Sequence, residues 1–365
     1  MRRILIASLF VIAIVPSFSC AASPKAIRRP IQVIEWPGSL LDQGHCTDFI
    51  YIPLRVPDSD KKFLSIRRWK DGLLEEASTF ELPMGTSITP TPQGICGLSV
   101  IKRDSVFTLV RLEDGKILKE WGDSNWYCSA AGSSRNGNFM ALFMSRNRLP
   151  FDRNYVDLID MRSQERRTII SELVGGSSAR TVLVTDDGRH IAIVGGVNGG
   201  TTMIDAKEGK ELWDKRPEGE IVSYYGAFSP DEKTIFTTGT AGCVYEIDVV
   251  TGNVLKERWA TSTGDSIYGL SAEAIAVSPD GQWLAAGLTP TGDVYVWNLK
   301  EEGKPFILKH GRGAMQLVAF SPESKSIATM VNGQVKVWSL EKLAPHPTSA
   351  PASSPASSPV HSARN

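Results

Sequence analysis

Residues 273–311 read EAIAVSPDGQWLAAGLTPTGDVYVWNLKEEGKPFILKHG. An apolar run leads into Ser278-Pro279-Asp280, a second run, a Gly-containing turn, a third run, a second Gly turn and a fourth run. Pro presets φ for a tight turn, and an Asp beside it bonds its own backbone two residues on. In the third run Val294, Val296 and Asn298 alternate with Tyr295, Trp297 and Leu299. That is a period of two, which makes the run a strand.

The same order recurs on both sides. Residues 225–259 read YGAFSPDEKTIFTTGTAGCVYEIDVVTGNVLKERW, and residues 316–342 read QLVAFSPESKSIATMVNGQVKVWSLEK. Further back the repeat loosens. In residues 181–213, TVLVTDDGRHIAIVGGVNGGTTMIDAKEGKELW, Asp186-Asp187-Gly188 stands in place of the Ser-Pro turn. Looser copies start at Trp126, Ser105 and Phe63. Third strands align at Ile66, Val110, Ile159, Ile204, Ile247, Trp297 and Trp338, with spacings of 44, 49, 45, 43, 50 and 41 residues. A period near 40–45 with four strands per unit is the signature of a propeller blade. Seven anchors predict an all-β, seven-bladed β-propeller with four antiparallel strands per blade. Between Ile31 and Lys342 no stretch carries helical periodicity.

The last repeat stops after its third strand at Leu340, while IQVIEWPG (residues 31–38) resembles the fourth strand KILKEWG (residues 116–122). The N-terminal strand is therefore expected to complete the last blade and leave no free sheet edge.

The ends lie outside this ring. Arg2 and Arg3 precede an apolar run from Ile4 to Val15, closed by Pro16 and mostly small residues through Ala22. This is the layout of a secretory signal peptide, too short for a comfortable membrane span. Two processing routes stay open: cleavage near Cys20-Ala21-Ala22, or lipidation of Cys20, for which Ser17 and Phe18 are poor preceding residues. The divisions expected are a signal peptide over 1–22, a linker over 23–30, the propeller over 31–342 and a disordered Pro/Ser/Ala-rich tail over 343–365. The location implied is secreted or periplasmic, with a membrane anchor if Cys20 is lipidated.

Export would place Cys46, Cys96, Cys128 and Cys243 in an oxidising compartment. Four cysteines allow three pairings, and no Cys-x-x-Cys spacing points to zinc. Cys243 reads as a buried thiol; a disulfide among Cys46, Cys96 and Cys128 stays open. Among the 365 residues, Lys plus Arg and Asp plus Glu number 40 each. Zero net charge gives no long-range pull toward nucleic acid.

These residues resemble the WD-repeat family, most specifically over Arg180 to Lys342. Val296-Trp297-Asn298 and Val337-Trp338-Ser339 match the family's Trp-Asp position with Asn and Ser in place of Asp, while Ile159-Asp160, Ile204-Asp205 and Ile247-Asp248 keep the Asp. The family's Gly-His pair is missing; His310-Gly311 has the reverse order. Its buried Asp–His–Ser/Thr–Trp network is thus not expected to be complete in any blade. IDAKEGKELW (residues 204–213) also resembles the quinoprotein-type repeat, in which a Trp stacks between blades.

Catalytic signatures are scarce. There is no Gly-x-Ser-x-Gly and no His-Glu-x-x-His, and no two cysteines are adjacent. His45, His190 and His310 are isolated, Gly195-Gly196 and Gly199-Gly200 link two strands, and Asp186-Asp187 reads as a solvent-facing turn. The expectation is a non-catalytic protein-binding scaffold, monomeric on its own, without cofactor, metal or nucleic acid. The alternatives are a degenerate quinoprotein-like or hydrolytic enzyme, or a small-ligand sensor. Propellers often bind at the loops that join consecutive blades: 121–126, 174–180, 218–225, 261–271 and 309–313 here. Trp126, Tyr224, Tyr225, Tyr268, His310 and Arg312 are the anchors singled out, because aromatic residues and Arg are favoured at interfaces. The loop 145–154, with three arginines, is a further candidate.

Overall fold

A computed structural model describes residues 26–27, 29–35, 44–46, 49–55, 62–82, 86–91, 94–100, 105–111, 116–123, 126–146, 153–174, 179–195, 199–215, 224–239, 242–260, 270–341 and 343. Every regular element among them is a strand. No helix there is long and apolar enough to cross a membrane.

The strands form seven sheets, blades 1 to 7 in chain order. Blade 1 is Gly44–Cys46, Phe49–Arg55, Lys62–Lys70 and Leu73–Leu82; blade 2 is Thr86–Pro90, Ile95–Val100, Ser105–Arg111 and Ile117–Asp123. Blade 3 is Trp126–Ser133, Phe139–Arg146, Arg153–Asp160 and Glu165–Val174; blade 4 is Thr181–Val184, His190–Val194, Thr201–Asp205 and Lys210–Lys215. Blade 5 is Gly226–Phe228, Thr234–Thr238, Cys243–Asp248 and Val254–Trp259; blade 6 is Ser271–Val277, Trp283–Thr289, Asp293–Asn298 and Phe306–Lys309. Blade 7 is Met315–Phe320, Ser326–Val331 and Gln334–Ser339, closed by Gln32–Glu35. All seven anchors expected on third strands lie on third strands.

Closure follows the predicted pairing. Gln32 lies opposite Val337 and Glu35 opposite Gln334, antiparallel. Two terminal details differ from expectation. Ala26–Ile27, read as linker, pairs in parallel with Ile307 and Leu308 on the outer edge of blade 6. Two residues carry no periodicity, so nothing in the sequence marks that strand. Leu343, read as the first residue of the tail, is buried in the cluster between blades 6 and 7. Burying one more large apolar side chain at the seam is favourable. Residues 1–25 and 344–365, which carry the signal-peptide, Cys20 and remaining tail expectations, lie outside the described residues.

The core is distributed around the ring. Each described apolar cluster joins two neighbouring blades. Phe143 and Leu158 meet Val182 and Ile193 across blades 3 and 4. Trp283 and Val296 meet Phe320 and Trp338 across blades 6 and 7. Trp69 and Leu74 meet Val335 and Val337 across blades 1 and 7. Between blades 4 and 5 the Trp213 indole N–H donates to the Val249 carbonyl at 2.9 Å. A Cβ on Gly252 would lie 2.8 Å from that ring. Trp213 thus stacks between blades as the quinoprotein-type repeat implies.

Turn chemistry accounts for the repeat. Ser278 Oγ donates to Asp280 Oδ1 at 2.5 Å, and that oxygen accepts the Gln282 amide at 2.9 Å. Ser229 with Asp231 and Thr185 with Asp187 repeat the contact at 2.6 Å each. The Asp of the Ile-Asp pairs has a separate task. Asp205 Oδ1 accepts the amides of Lys207 and Glu208, both at 2.9 Å. Asp248 Oδ1 accepts those of Val250 and Thr251. Asn298 does the same for Lys300 at 3.0 Å, which explains why Asn is tolerated there. These bonds hold the carboxyls of Asp205 and Asp248 below the usual carboxylate range.

Candidate functional site

The first strands of neighbouring blades pack on one another, so the sheets radiate outward from them. Loops that join blades share one face of the ring with the turns between second and third strands. At blades 6 and 7 that face is described without interruption.

Here the joining loop 309–313 is clamped from both sides. Lys309 Nζ donates to Asp293 Oδ2 at 2.5 Å. The Gly313 amide donates to the Pro290 carbonyl at 2.9 Å. From blade 7, Lys336 Nζ donates to the His310 carbonyl at 2.6 Å and Asn332 Nδ2 to the Arg312 carbonyl at 3.3 Å. Gly292, with φ of 65°, lies so close that a Cβ there would sit 1.9 Å from the Gly311 carbonyl oxygen. The loop is therefore held by its backbone, and Arg312 is exposed on top of it.

His310 does not join Arg312 at the surface. Its residue is 5% exposed and its ring centroid lies 6.4 Å from that of Trp338. The Trp338 indole donates to Thr329 Oγ1 at 2.8 Å. A His, a Thr and a Trp thus meet where blade 6 joins blade 7, three of the four residue types of the family's network, which stays incomplete. The charged group acting on His310 is a cation, Lys336, rather than an acid. Burial first, and Lys336 second, push His310 down to about 4. His310 Nε2 is buried without a hydrogen-bond partner among the described residues.

The remaining anchors divide. Tyr224 is half-buried beneath the Arg180 guanidinium, which lies 5.5 Å from its ring centroid. Thr181 Oγ1 donates to the Tyr224 carbonyl at 3.3 Å, across blades 4 and 5. Tyr225 packs against the cluster between blades 5 and 6, and its backbone bonds Thr238 in both directions. Trp126 opens the first strand of blade 3 opposite Arg146. Tyr268 lies outside the described residues, as does most of the loop 145–154.

Several residues at the site carried no sequence signal. Lys336 and Asn332 act across blades, and the Asp293–Lys309 pair bridges the third and fourth strands of blade 6. On the opposite face Asp186 is also more than a solvated turn acid. Its Oδ1 accepts the Asn136 amide at 2.6 Å and its carbonyl accepts Asn136 Nδ2 at 2.9 Å. Its own amide donates to Glu232 Oε1 at 2.7 Å. Turns of blades 3, 4 and 5 are thereby laced together.

Titratable groups do not gather for metal chemistry. No group of three or more His, Cys, Asp or Glu side chains is placed to hold a metal among the described residues. His45 lies in blade 1, His190 in blade 4 and His310 between blades 6 and 7. Cys128 and Cys243 are buried thiols, and burial pushes each up to about 12. The disulfide left open for Cys128 is not formed, and its side chain belongs to the cluster between blades 2 and 3.

Comparison with known proteins agrees with this geometry. No family model matches the chain. Over 77 residues, 20% of its length, it is 38% identical to the periodic tryptophan protein 2 homolog of Dictyostelium discoideum, and the match spans only 8% of that relative. Among solved structures it is similar to the Cps50 (Swd1) β-propeller domain of Myceliophteria thermophila. The TM-score is 0.62 at 14% identity, covering 85% of this chain and 99% of that one. The seven-bladed fold and its resemblance to WD-repeat propellers are borne out.

Proposed function

We propose that this chain is a non-catalytic protein-binding scaffold, exported and held at an envelope membrane. Its partner docks on the loop face over blades 4 to 7. The observation that carries this reading is the clamped loop 309–313. Its backbone is tied to Pro290, Asn332 and Lys336, and it presents an exposed Arg312. A loop already fixed in the free protein loses little entropy on binding, and Arg on such a support is a favoured anchor. The Arg180–Tyr224 pair offers a second cation and aromatic at the junction of blades 4 and 5. The basic start and the apolar run Ile4–Val15 support export, and tethering follows where Cys20 is lipidated rather than removed by cleavage.

The test is quantitative capture from envelope extracts with the full chain. Partners retained by the parent chain should be lost at least tenfold with Arg312→Glu and reduced with Tyr224→Ala, while Ile117→Ala on the far rim changes nothing. Unchanged capture by the first two variants would remove the loop face from consideration.

A further inference from the structure

One position on the innermost strands recurs from blade to blade. Counted five residues back from the turn hydroxyls of Thr185, Ser229, Ser278 and Ser321, it is Arg180, Tyr224, Glu273 and Gln316 in blades 4 to 7. All four stand at the loop-face end. The Arg180 and Tyr224 amides donate to the carbonyls of Val194 and Thr238, the last residues of their second strands. Glu273 Oε2 accepts from the hydroxyl of Thr289, the last residue of the second strand of blade 6, at 2.7 Å. Gln316 Oε1 accepts the amide of Gly333, in the turn of blade 7, at 3.1 Å. In blades 6 and 7 the residue is the extra one of a bulge, between Ala272 and Ala274 and between Met315 and Leu317. A bulge re-aims its side chain out of the regular alternation. The position therefore sets a row of polar side chains along the inner rim of the loop face.

Two charges in this row are left unneutralised by the fold. Elsewhere in the ring charged side chains find ionic partners: Lys309 with Asp293, Arg258 with Glu246 and Arg166 with Asp157. Among the described residues Arg180 has no acid beside it and Glu273 no cation. Arg180 lies instead over the Tyr224 ring, 5.5 Å from its centroid, which carries its charge from blade 4 toward blade 5. Glu273 is oriented by Thr289, whose Oγ1 also accepts the Met315 amide of blade 7 at 2.9 Å. Both heads are thus held by neutral groups, with their charge intact and little freedom left to lose on binding. Packed sheets lie about 10 Å apart, so the guanidinium over blade 5 and the carboxylate on blade 6 are about one such step apart. An extended segment covers that distance in about three residues.

We propose that the partner lays an extended segment across this row, with an acidic side chain on Arg180 and a basic one on Glu273 about three residues away. This rests on the loop-face reading above and names what that face selects. Arg offers a carboxylate two parallel donors, and its aromatic support brings no competing charge. Gln316 Nε2, which has no acceptor among the described residues, is a donor for the backbone of the segment. Opposite charges at the two ends give the row a polarity. A segment laid the other way brings like charges together at both ends, so the pair fixes direction as well as affinity. The formal charge of the whole chain is zero, and no long-range field overrides this local pattern.

The experiment probes the full chain on a dense array of synthetic peptides. One Asp and one Lys are moved independently through an otherwise neutral Gly/Ser/Ala sequence. The expected result is retention on peptides whose two charges lie about three residues apart in one order. It should exceed that of the reverse order, or of either charge alone, by about tenfold. Glu273→Gln keeps an acceptor for Thr289 and should lose only the dependence on Lys, with an unchanged unfolding midpoint. The double variant Arg180→Glu, Glu273→Lys should reverse the preferred order. Retention indifferent to order, an order that the double variant fails to reverse, or no retention on any peptide overturns the proposal. Loss of envelope capture by Arg312→Glu would then leave the loop-face reading standing, whereas unchanged capture removes that reading on its own.

Discussion

Gln32 exchanges two hydrogen bonds with the backbone of Leu74: its Nε2 donates to the Leu74 carbonyl and its Oε1 accepts the Leu74 amide, each at 3.0 Å. One residue belongs to the strand that closes blade 7, the other to the outer strand of blade 1. The ring is therefore locked by side chain as well as by the sheet pairing of Gln32–Glu35. Gln32→Ala is expected to cost about 1–2 kcal/mol. Gln32→Glu, which can accept but not donate, should lie between it and the parent. Urea unfolding of the three chains, with unchanged far-ultraviolet circular dichroism in the native state, checks this. Parent-like stability of Gln32→Ala would show that the seam does not need the clasp.

The buried imidazole of His310 makes stability fall on mild acidification. In the unfolded chain it takes up a proton near pH 6.5, whereas in the fold it does so only near 4. Between those values the unfolded state binds more protons, so stability is full above about pH 6.5 and declines as pH drops toward 4. The loss is about 1–3 kcal/mol. Replacing His310 with Asn should flatten the slope in that window. Chemical denaturation at half-unit steps reads it directly, and an equal slope in the variant would assign the effect to other groups.

Asp248 contributes in a lower window. Its Oδ1 accepts the amides of Val250 and Thr251 at 3.1 and 2.7 Å and the Thr251 hydroxyl at 2.8 Å. Its folded carboxyl lies below the usual value, so the stabilisation is present above about pH 4 and disappears as pH falls through the folded pKa. Asp248→Ala should cost about 1 kcal/mol at neutral pH. Asp248→Asn should cost less, because Asn298 already makes the equivalent bond in blade 6. Denaturation midpoints at pH 7 would separate the two.

Most of the ring was legible because a blade is a short unit repeated. The third strands gave the period, since Trp297 and Trp338 alternate with residues of the opposite face. Their weaker counterparts Ile66 and Val110 fell into register by spacing. The Ser-Pro-Asp turns were readable because their chemistry is local, as in the Asp280 contact with Gln282. The site was far less legible. Whether His310 is exposed depends on how Trp338 of the next blade covers it. Whether Tyr225 is free depends on the cluster between blades 5 and 6. Lys336 and Asn332 hold the loop 309–313 from a strand and a turn some twenty residues away in the chain, a distance over which no periodic pattern carries information. The strand at Ala26–Ile27 is invisible for the opposite reason: it is too short to have a pattern.

The close approach of Gly292 to the Gly311 carbonyl gives a way to disturb the loop face while leaving the ring intact. With φ of 65°, residue 292 favours glycine, and a Cβ would meet backbone that cannot rotate aside. The cheapest relief for Gly292→Ala is displacement of the loop beyond Lys309, which stays paired with Asp293, because its remaining ties are single hydrogen bonds to Pro290, Asn332 and Lys336. That moves Arg312 and uncovers His310 from Trp338. The variant should unfold cooperatively, lose about 1–3 kcal/mol of stability, and titrate His310 closer to its unperturbed value. Partner capture should drop as it does for Arg312→Glu. Nuclear magnetic resonance titration of the imidazole, run beside the capture assay, connects the two effects. A Gly292→Ala chain that keeps the depressed His310 titration but loses capture would mean that the partner reads the turn at 292 itself, and the loop 309–313 would no longer be the anchor.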